Sequence, residues 1–200
     1  MSRRLVAVLV AARPTLPDRA LRMAMAEDCY ETVACLELVE PLLAVAERDP
    51  DAGAVDELAW PGTVVLRTEG PVTAANVLRR LAGLGADEAT VVAADAPDLP
   101  GLLLGKLHRA LGSSPVAVLP AAGGGLVALA ARCPLADWLE AATLDADDAL
   151  DRLRGGAPRR TSVSVGPGWH RVRRPEDVDQ LDPGLEGWEV TRAALRAAAP

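Results

Sequence analysis

Apolar runs and segments with helical periodicity alternate along this chain. Residues 4–12, RLVAVLVAA, form a continuous apolar run, which is typical of a strand covered on both faces. Residues 89–95, ATVVAAD, form a second such run, and this one ends in an acid. The helical segments 73–85 and 100–112 both end at Gly, and the second also begins at Pro. Such alternation predicts an α/β fold with a mostly parallel sheet.

The same pattern places the remaining elements. We expect further strands at 63–68, 115–121, 125–131 and 159–172, and helices at 134–142, 145–156, 174–181 and 191–199. Residues 16–49 are interpreted as one long helix with Asp18 as its N-cap, which ends or bends at Pro41. The sequence contains no long linker, internal repeat or low-complexity tract. Residues 1–200 are therefore expected to form a single domain.

The net charge of the chain argues against one class of binding partner. There are 28 acidic against 21 basic residues, and the formal net charge is −7. A nucleic-acid-binding surface must be basic to neutralise phosphates, so we expect no nucleic-acid partner. No stretch reaches the roughly 18 uninterrupted apolar residues of a membrane span, so no membrane association is expected either. The sequence leaves monomer and homodimer equally open.

The cysteines indicate the cellular compartment that the sequence favours. Cys29, Cys35 and Cys133 form a sparse, odd-numbered set without CxxC spacing. Such a set is typical of reduced thiols, and it predicts a cytoplasmic protein. The chain has only two histidines, His108 and His170, and neither is paired with a cysteine in the sequence. Zinc is therefore not expected.

The clearest candidate for chemistry is the stretch VVAADAPDLP, residues 91–100, where an apolar run ends in Asp95 and Asp98. Ligands of open α/β sheets bind at the carboxyl ends of the strands, and two acids placed there can share Mg²⁺ with substrate phosphates. The alternative is structural. In that case Asp98 caps the helix that begins near Pro100, and Asp95 bonds the loop backbone. Both interpretations fit these residues.

Two further segments have a functional and a structural interpretation. Gly123, Gly124 and Gly125 stand between two apolar runs, where they either let the backbone approach a ligand or form a hairpin turn. Arg13 follows the first strand and could hold phosphates at the same edge of the sheet.

The C-terminal third carries the sequence GWHRVRR, residues 168–174. Its basic cluster, Arg171, Arg173 and Arg174, either meets phosphate or is a solvated strand end. His170 is interpreted as a packed or surface residue rather than a catalytic one, because no nucleophile or orienting acid stands near it in the sequence.

In this order, these features resemble the MobA-like, glycosyltransferase-related bacterial proteins of the GT-A nucleotidyltransferase fold. The strand end AADAPDL at 93–99 is similar to their "GSDCPDL", and AGGGL at 122–126 is loosely similar to their "DGGY". Their "DxDTPEDL" is matched by HRVRRPEDV at 170–178. The similarity covers most of the chain in patches.

The resemblance implies a three-layer α/β/α, Rossmann-like sandwich of GT-A type with a mostly parallel central sheet. It implies binding of a nucleoside triphosphate or nucleotide sugar at the carboxyl ends of the strands, with an acceptor that attacks the α-phosphate and releases pyrophosphate. Asp95 and Asp98 would be the catalytic residues and would hold Mg²⁺. The nucleotide would be bound by Arg13, Gly123, Gly124, Gly125, Arg173 and Arg174.

Three signatures depart from the pattern of these proteins. Only AARP, residues 11–14, remains of a basic loop that resembles "AKAPxPGxxKTRL". Ala122 stands in place of the acid in "DGGY", and Arg173 and Arg174 stand in place of "DT". An arginine cannot ligate Mg²⁺ and repels it. The expected function is therefore a Mg²⁺-dependent nucleotidyl or glycosyl transfer, or binding of a nucleotide or partner without catalysis, with Arg173 and Arg174 in place of the metal. A scaffold domain without a small ligand is the third alternative.

Overall fold

The computed structural model describes residues 2–16 and 18–198, which form seven strands and six α-helices. The strands are β1 (Arg4–Val10), β2 (Glu40–Ala46), β3 (Val64–Thr68), β4 (Glu88–Ala93), β5 (Val116–Pro120), β6 (Leu126–Arg132) and β7 (Val163–Val165). The helices are α1 (Arg19–Ala34), α2 (Ala52–Leu58), α3 (Ala74–Gly83), α4 (Gly101–Ala110), α5 (Ala149–Gly156) and α6 (Glu189–Ala198). Short 3₁₀ helices cover Asp137–Leu139, Arg160–Ser162 and Pro175–Gln180.

All seven strands belong to one sheet in the order β3-β2-β1-β4-β6-β5-β7. Every neighbouring pair is parallel except the two pairs that contain β6. The chain moves outward from β1 to β2 and β3, and it then returns to place β4 on the other side of β1. The strand order therefore reverses between β1 and β4, which is where ligands bind in open sheets of this type.

The apolar run of β1 is explained by helices on both faces of the sheet. Leu5, Ala7 and Leu9 pack in one core layer with residues of α3, including Leu78. The alternate residues of β1 pack in a second layer with residues of α1, α2 and α4. The predicted three-layer α/β/α architecture is confirmed. Among the described residues, no helix has both the length and the apolar character that a membrane crossing requires.

The prediction of one long helix over 16–49 is wrong. Asp18 caps α1 as predicted, since its Oδ1 accepts a hydrogen bond from Leu21 N at 3.1 Å, but the helix ends at Ala34. Residues 40–46, EPLLAVA, form β2 between β1 and β3. Pro41 is tolerated there because the pairing with β3 starts only at Leu42. The short apolar run of a buried strand was mistaken for a helix face.

The predicted strand at 159–172 is also too long. Regular pairing in β7 stops at Val165, before the Gly-Pro-Gly sequence at 166–168. The following residues continue as an extended segment across the ends of β5 and β4, where Trp169 N donates to Pro120 O and Val172 N donates to Asp95 O. The predicted helix at 134–142 is reduced to the 3₁₀ turn Asp137–Leu139. The extended segment carries Arg171 and Arg173 to the carboxyl edge of the sheet.

A small third core supports that segment from outside. Val172 packs with Leu16 and Met25, together with Leu181 and Trp188 near α6. This cluster closes the loop after β1 against the C-terminal part of the chain. The loop after β1 and the extended segment are consequently held next to each other at one end of the sheet.

Candidate functional site

A narrow crevice opens where β1 and β4 end, at the point where the strand order reverses. Its inner space is about 20 Å³, which is room for about one water molecule, and it opens to solvent. Apolar residues of β1, α1, the loop after β1 and the end of β4 form most of its wall, and its charged lining residues are Arg13, Arg22 and Asp95. A larger ligand therefore either binds at the open side of the crevice or displaces side chains.

Asp95 is at the centre of the charged groups in this crevice. Its side chain is only 7% exposed, yet two guanidinium groups contact it. Arg13 Nε lies 2.7 Å from Oδ2, while Arg171 binds with Nε at 2.5 Å from Oδ1 and Nη2 at 3.0 Å from Oδ2. The alternative in which Asp95 bonds only the loop backbone does not describe these contacts. Asp95 faces the crevice and is neutralised by arginine.

Arg171 uses all five of its N–H donors inside the protein. Nε and Nη2 bind Asp95, Nη1 donates to the carbonyl oxygens of Leu126 and Leu144 at 3.0 Å each, and Nη2 also donates to Asp145 Oδ1 at 2.9 Å. Its side chain is 2% exposed. Burial alone would lower the pKa of Arg171, but the carboxylates of Asp95 and Asp145 outweigh burial and raise it. The guanidinium is therefore charged and fixed in orientation.

Asp145 closes the charged cluster from the solvent side. Its Oδ1 accepts from Arg13 Nη2 at 2.8 Å and from Arg171 Nη2 at 2.9 Å, and its side chain is 50% exposed. Burial would raise the pKa of Asp145, but the charges of Arg171 and Arg13 outweigh it and lower that pKa. Asp145 is the one half-exposed member of a cluster whose other carboxylate is buried.

Arg173 lies beside this cluster and contacts the glycine turn. Its Nη2 donates to Gly124 O at 2.9 Å, whereas its Nε is buried without a hydrogen-bond partner among the described residues. Burial, followed by repulsion from Arg171, lowers the pKa of Arg173. Arg173 therefore places an unsatisfied N–H donor, beside a second cation, at this edge of the sheet.

The three glycines join β5 and β6 in a hairpin, and all three have positive φ. The N–H of Gly124 donates to Ala121 O and that of Gly125 donates to Asp147 O, so neither is available to cradle a ligand in this arrangement. A Cβ on Gly125 would lie 2.5 Å from Arg173 Nη2 and 2.5 Å from Leu144 O. The turn needs glycine so that Arg173 and the loop at 144–147 can approach it closely.

We expect Gly125→Ala to cost about 3 kcal/mol of unfolding free energy, because it combines positive φ with two backbone or side-chain clashes. Gly123→Ala is the matched control, since Gly123 has φ 80 against 79 for Gly125 but no atom within 4 Å of its Cβ position. That control is expected to lose about 1 kcal/mol. Urea unfolding measures both. Equal losses would show that crowding by Arg173 and Leu144 is unimportant.

Asp98 organises a different group of residues from Asp95. Its side chain is fully buried, and it accepts hydrogen bonds from Trp169 Nε1 at 3.1 Å, His170 Nε2 at 2.8 Å and Asp182 N at 3.0 Å. Burial would raise the pKa of Asp98, but these hydrogen bonds outweigh it and lower that pKa. The alternative role as a helix cap is wrong, because α4 is capped by Pro100 without a side-chain hydrogen bond. Asp98 instead ties the extended segment to the end of β4.

His170 does have an orienting acid, contrary to the sequence interpretation. The acid is Asp98, 72 residues away in the chain, and the His170 ring stacks on Trp169 with centroids 4.9 Å apart. Of the two expected roles, packed or surface, the structure shows the packed one, with Asp98 as the partner of His170. No local pattern could have revealed a pair so far apart.

Arg174 and two basic residues of α1, Arg19 and Arg22, do not contact Asp95. The side chain of Arg174 is 65% exposed, and among the described residues its guanidinium forms one ion pair, with Glu176 at 3.8 Å. Arg19 and Arg22 both bind Asp51, at 3.1 and 2.7 Å. Of the predicted nucleotide-binding residues, the structure brings Arg13, Arg173 and the glycine turn together around Asp95 and leaves Arg174 on the surface.

The present arrangement of Asp95 and Asp98 does not fit a shared magnesium ion. The oxygens of both carboxylates already accept hydrogen bonds from the protein, and the groups on Asp95 are cations that repel a metal. Within residues 2–16 and 18–198, no three His, Cys, Asp or Glu side chains are grouped so as to hold a metal ion. The magnesium assignment stays a prediction, and it requires Arg171 to leave Asp95.

Two members of the charged cluster were not among the predicted site residues. Arg171 was noticed only as part of a basic sequence cluster, and Asp145 was not singled out at all. The available signal for Arg171 was its alternation with Arg173 along an extended segment, which places both side chains on one face. Asp145 stands in TLDADD, an acidic stretch that is typical of any exposed loop.

No family model matches this chain, and no curated protein is significantly similar to it. Solved structures, however, are similar over its whole length. A Desulfovibrio desulfuricans protein, provisionally described as a nucleotide-diphospho-sugar transferase, superposes with a TM-score of 0.75 at 16% identity, over 98% of this chain and 96% of that chain. A nucleotidyl transferase from Methanothermobacter gives a TM-score of 0.66 at 17% identity, over 98% and 99% of the two chains.

A third similar structure contains a metal ion. A Mycobacterium tuberculosis protein solved in complex with manganese superposes with a TM-score of 0.57 at 18% identity, over 98% of each chain. At these identities the likeness shows the fold alone. The chain has the fold of the nucleotide-diphospho-sugar transferases and related nucleotidyl transferases, as its sequence motifs predicted.

Proposed function

We propose that this protein binds a nucleoside triphosphate or a nucleotide sugar in the crevice between β1 and β4, and that Arg13, Arg171 and Arg173 hold its phosphates. The observation that carries the proposal is that Arg13 and Arg171 both bind Asp95 at the carboxyl ends of the two strands, with Arg173 beside them. Guanidinium groups are opposite in charge to phosphate oxygens, and their planar set of N–H donors suits the binding of these oxygens. The nucleotidyltransferase-like fold supports a nucleotide as the carrier of those phosphates.

The three arginines contribute to phosphate binding in different ways. Arg171 is held by backbone carbonyl groups and Asp95, so it presents its charge without an entropic cost of ordering. Arg173 contributes a donor that has no partner in the part of the chain that the structure describes, and binding an anion would satisfy it. Arg13 belongs to the loop after β1 and can follow the ligand. In this proposal the arginines supply the positive charge at the strand ends, and no divalent cation is needed for binding.

A magnesium-dependent nucleotidyl or glycosyl transfer at the same place is the second candidate. It is favoured by the manganese complex of the structurally similar mycobacterial protein and by the strand-end position of Asp95. This candidate requires the metal to replace Arg171 on Asp95. The two candidates therefore differ in whether nucleotide binding needs the metal.

A thermal-shift panel separates them. The four nucleoside triphosphates and common nucleotide sugars are tested with Mg²⁺ and with EDTA. At a ligand concentration of about 100 times Kd, we expect the best ligand to raise Tm by about 5–10 °C in EDTA. Arg173→Ala should abolish this shift. Arg174→Ala, its exposed neighbour in the chain, is the matched control and should retain it.

The other outcomes are equally informative. A shift that appears only with Mg²⁺ and disappears in Asp95→Ala would replace the proposal by the metal-dependent transfer. No shift with any nucleotide under either condition would overturn both candidates and leave a scaffold domain.

A further inference from the structure

One carboxylate oxygen of Asp145 lies between two guanidinium groups, on the solvent side of the charged cluster. Its distances are 2.8 Å to Arg13 Nη2 and 2.9 Å to Arg171 Nη2. These are the distances of charge-assisted hydrogen bonds, and a phosphate oxygen bound by two arginines would take the same position. The protein thus already carries an anion where the phosphates of a ligand are expected.

Among the acceptors of Arg171, Asp145 is the one that can be exchanged. The carbonyl groups of Leu126 and Leu144 belong to the packed hairpin and its neighbouring loop, and Asp95 is buried. Asp145 is half-exposed, so its side chain can rotate into solvent. Its backbone need not move, because Leu126 N donates to Leu144 O at 2.8 Å and holds the preceding residue in place.

Two anions cannot occupy the position between these guanidinium groups at once. Because Asp145 Oδ1 is bound to both Arg13 Nη2 and Arg171 Nη2, a phosphate oxygen can take that position only by displacing it. A tethered carboxylate competes at the high effective concentration of an intramolecular group. Asp145 carries one negative charge, so only a ligand with several negative charges binds the two arginines more strongly than Asp145 does.

We propose that Asp145 is an internal competitor of the ligand, which occupies the phosphate position of Arg13 and Arg171 and makes the site selective for polyphosphate-bearing ligands. The inference rests on the proposed function. It predicts that removal of Asp145 tightens binding, because the competing charge is gone. It also predicts a less stable free protein, because Arg171 and Arg13 lose an anionic partner.

The experiment compares the wild-type protein with Asp145→Ala and Asp147→Ala, with inorganic pyrophosphate as the probe in EDTA. Asp147 is the matched control, since it is an acid two positions away that is 85% exposed and 3.8 Å from Arg173. Calorimetric titration is expected to show about 10-fold tighter binding for Asp145→Ala. The gain for Asp147→Ala should be less than about 3-fold, because its exposed ion pair with Arg173 is loose and screened by solvent.

Thermal unfolding supplies a second readout. Without ligand, Asp145→Ala should melt below the wild-type protein, and with saturating pyrophosphate the difference should shrink or reverse. A merely structural role for Asp145 would lower Tm without tightening binding. Equal gains in the two variants, or weaker binding by Asp145→Ala, would overturn the inference.

The failure of the inference can be told apart from failure of the proposed function. If the wild-type protein binds nucleotides but Asp145→Ala gains nothing, only the competitor role is wrong. If neither protein binds pyrophosphate or any nucleotide of the panel, the proposed function is wrong, and the competitor role is wrong with it.

Discussion

Arg171→Met is expected to lower the unfolding free energy by about 3–5 kcal/mol, because it leaves the buried carboxylate of Asp95 without its bidentate partner. Asp95 is 7% exposed and keeps only Arg13, which lies on a loop. The carbonyl oxygens of Leu126 and Leu144 lose donors as well. Urea unfolding followed by tryptophan fluorescence measures the loss, since Trp169 is two residues away.

A double substitution tests the cause of that loss. Asp95→Leu combined with Arg171→Met removes both buried charges, and it is expected to recover at least half of the stability lost in the single variant. Arg171→Lys should not recover it, because an ammonium group cannot make the bidentate contact and reach both carbonyl groups. Additive losses in the double variant would mean that the two side chains stabilise the fold independently.

Asp98→Asn is expected to destabilise the protein by about 2–3 kcal/mol at pH 7, because charge-assisted hydrogen bonds from His170 and Asp182 N lose their ionised acceptor. The folded-state pKa of Asp98 is lowered relative to its ordinary value near about 3.9. Its contribution is therefore complete above the unfolded-state pKa and is lost as the pH falls through the folded-state pKa. The wild-type protein should converge with the variant below about pH 4.

Urea unfolding at several pH values between 7 and 3 measures the convergence. Asp179→Asn is the control, since Asp179 is exposed on the same C-terminal segment. It should be as stable as the wild-type protein at pH 7, and its stability should vary with pH as the wild-type stability does. A constant difference between Asp98→Asn and the wild-type protein at all pH values would contradict the ionic role of Asp98.

The sequence predicted the fold well where the hydrophobic positions follow a single pattern, either that of a strand or that of a helix. β1 and β4 are continuous apolar runs, and α3 and α4 have a clear stop at Gly or start at Pro. β2 was missed because residues 40–46 follow a true helix without Gly and contain Pro41, which was taken as a helix breaker. The position of a proline within a parallel strand depends on where the neighbouring strand begins, and that is a tertiary property.

The site was predictable to the extent that it lies at a strand end. Asp95 was chosen because acids that follow a central strand face the crevice, and its side chain does lie there. Its partners were beyond local reasoning, since Arg171 is 76 residues away and the Asp145 contact to Arg13 spans 132 residues. The sequence also placed Arg173 and Arg174 together, whereas only Arg173 reaches the glycine turn.

The structure shows where the arginines that replace the acids of the C-terminal signature lie. When RVRRPEDV is matched to "DxDTPEDL" on Pro-Glu-Asp, the two acids of the signature fall at Arg171 and Arg173. Arg171 lies in the charged cluster around Asp95, and Arg173 lies beside it. The substitutions therefore exchange negative for positive charge at the place where the resemblance implied a metal, which is consistent with arginines holding phosphates there.

The five hydrogen bonds of Arg171 also constrain the order in which the protein assembles. They join the extended segment to chain segments 76, 45 and 26 residues earlier. Contacts across such separations form late, because loop closure must precede them. During synthesis at about 5–20 residues per second, Asp95 emerges roughly 4–15 s before its partner. Until then Arg13 alone can neutralise the carboxylate at the centre of the nascent sheet, and the charged cluster is completed only when the C-terminal segment docks.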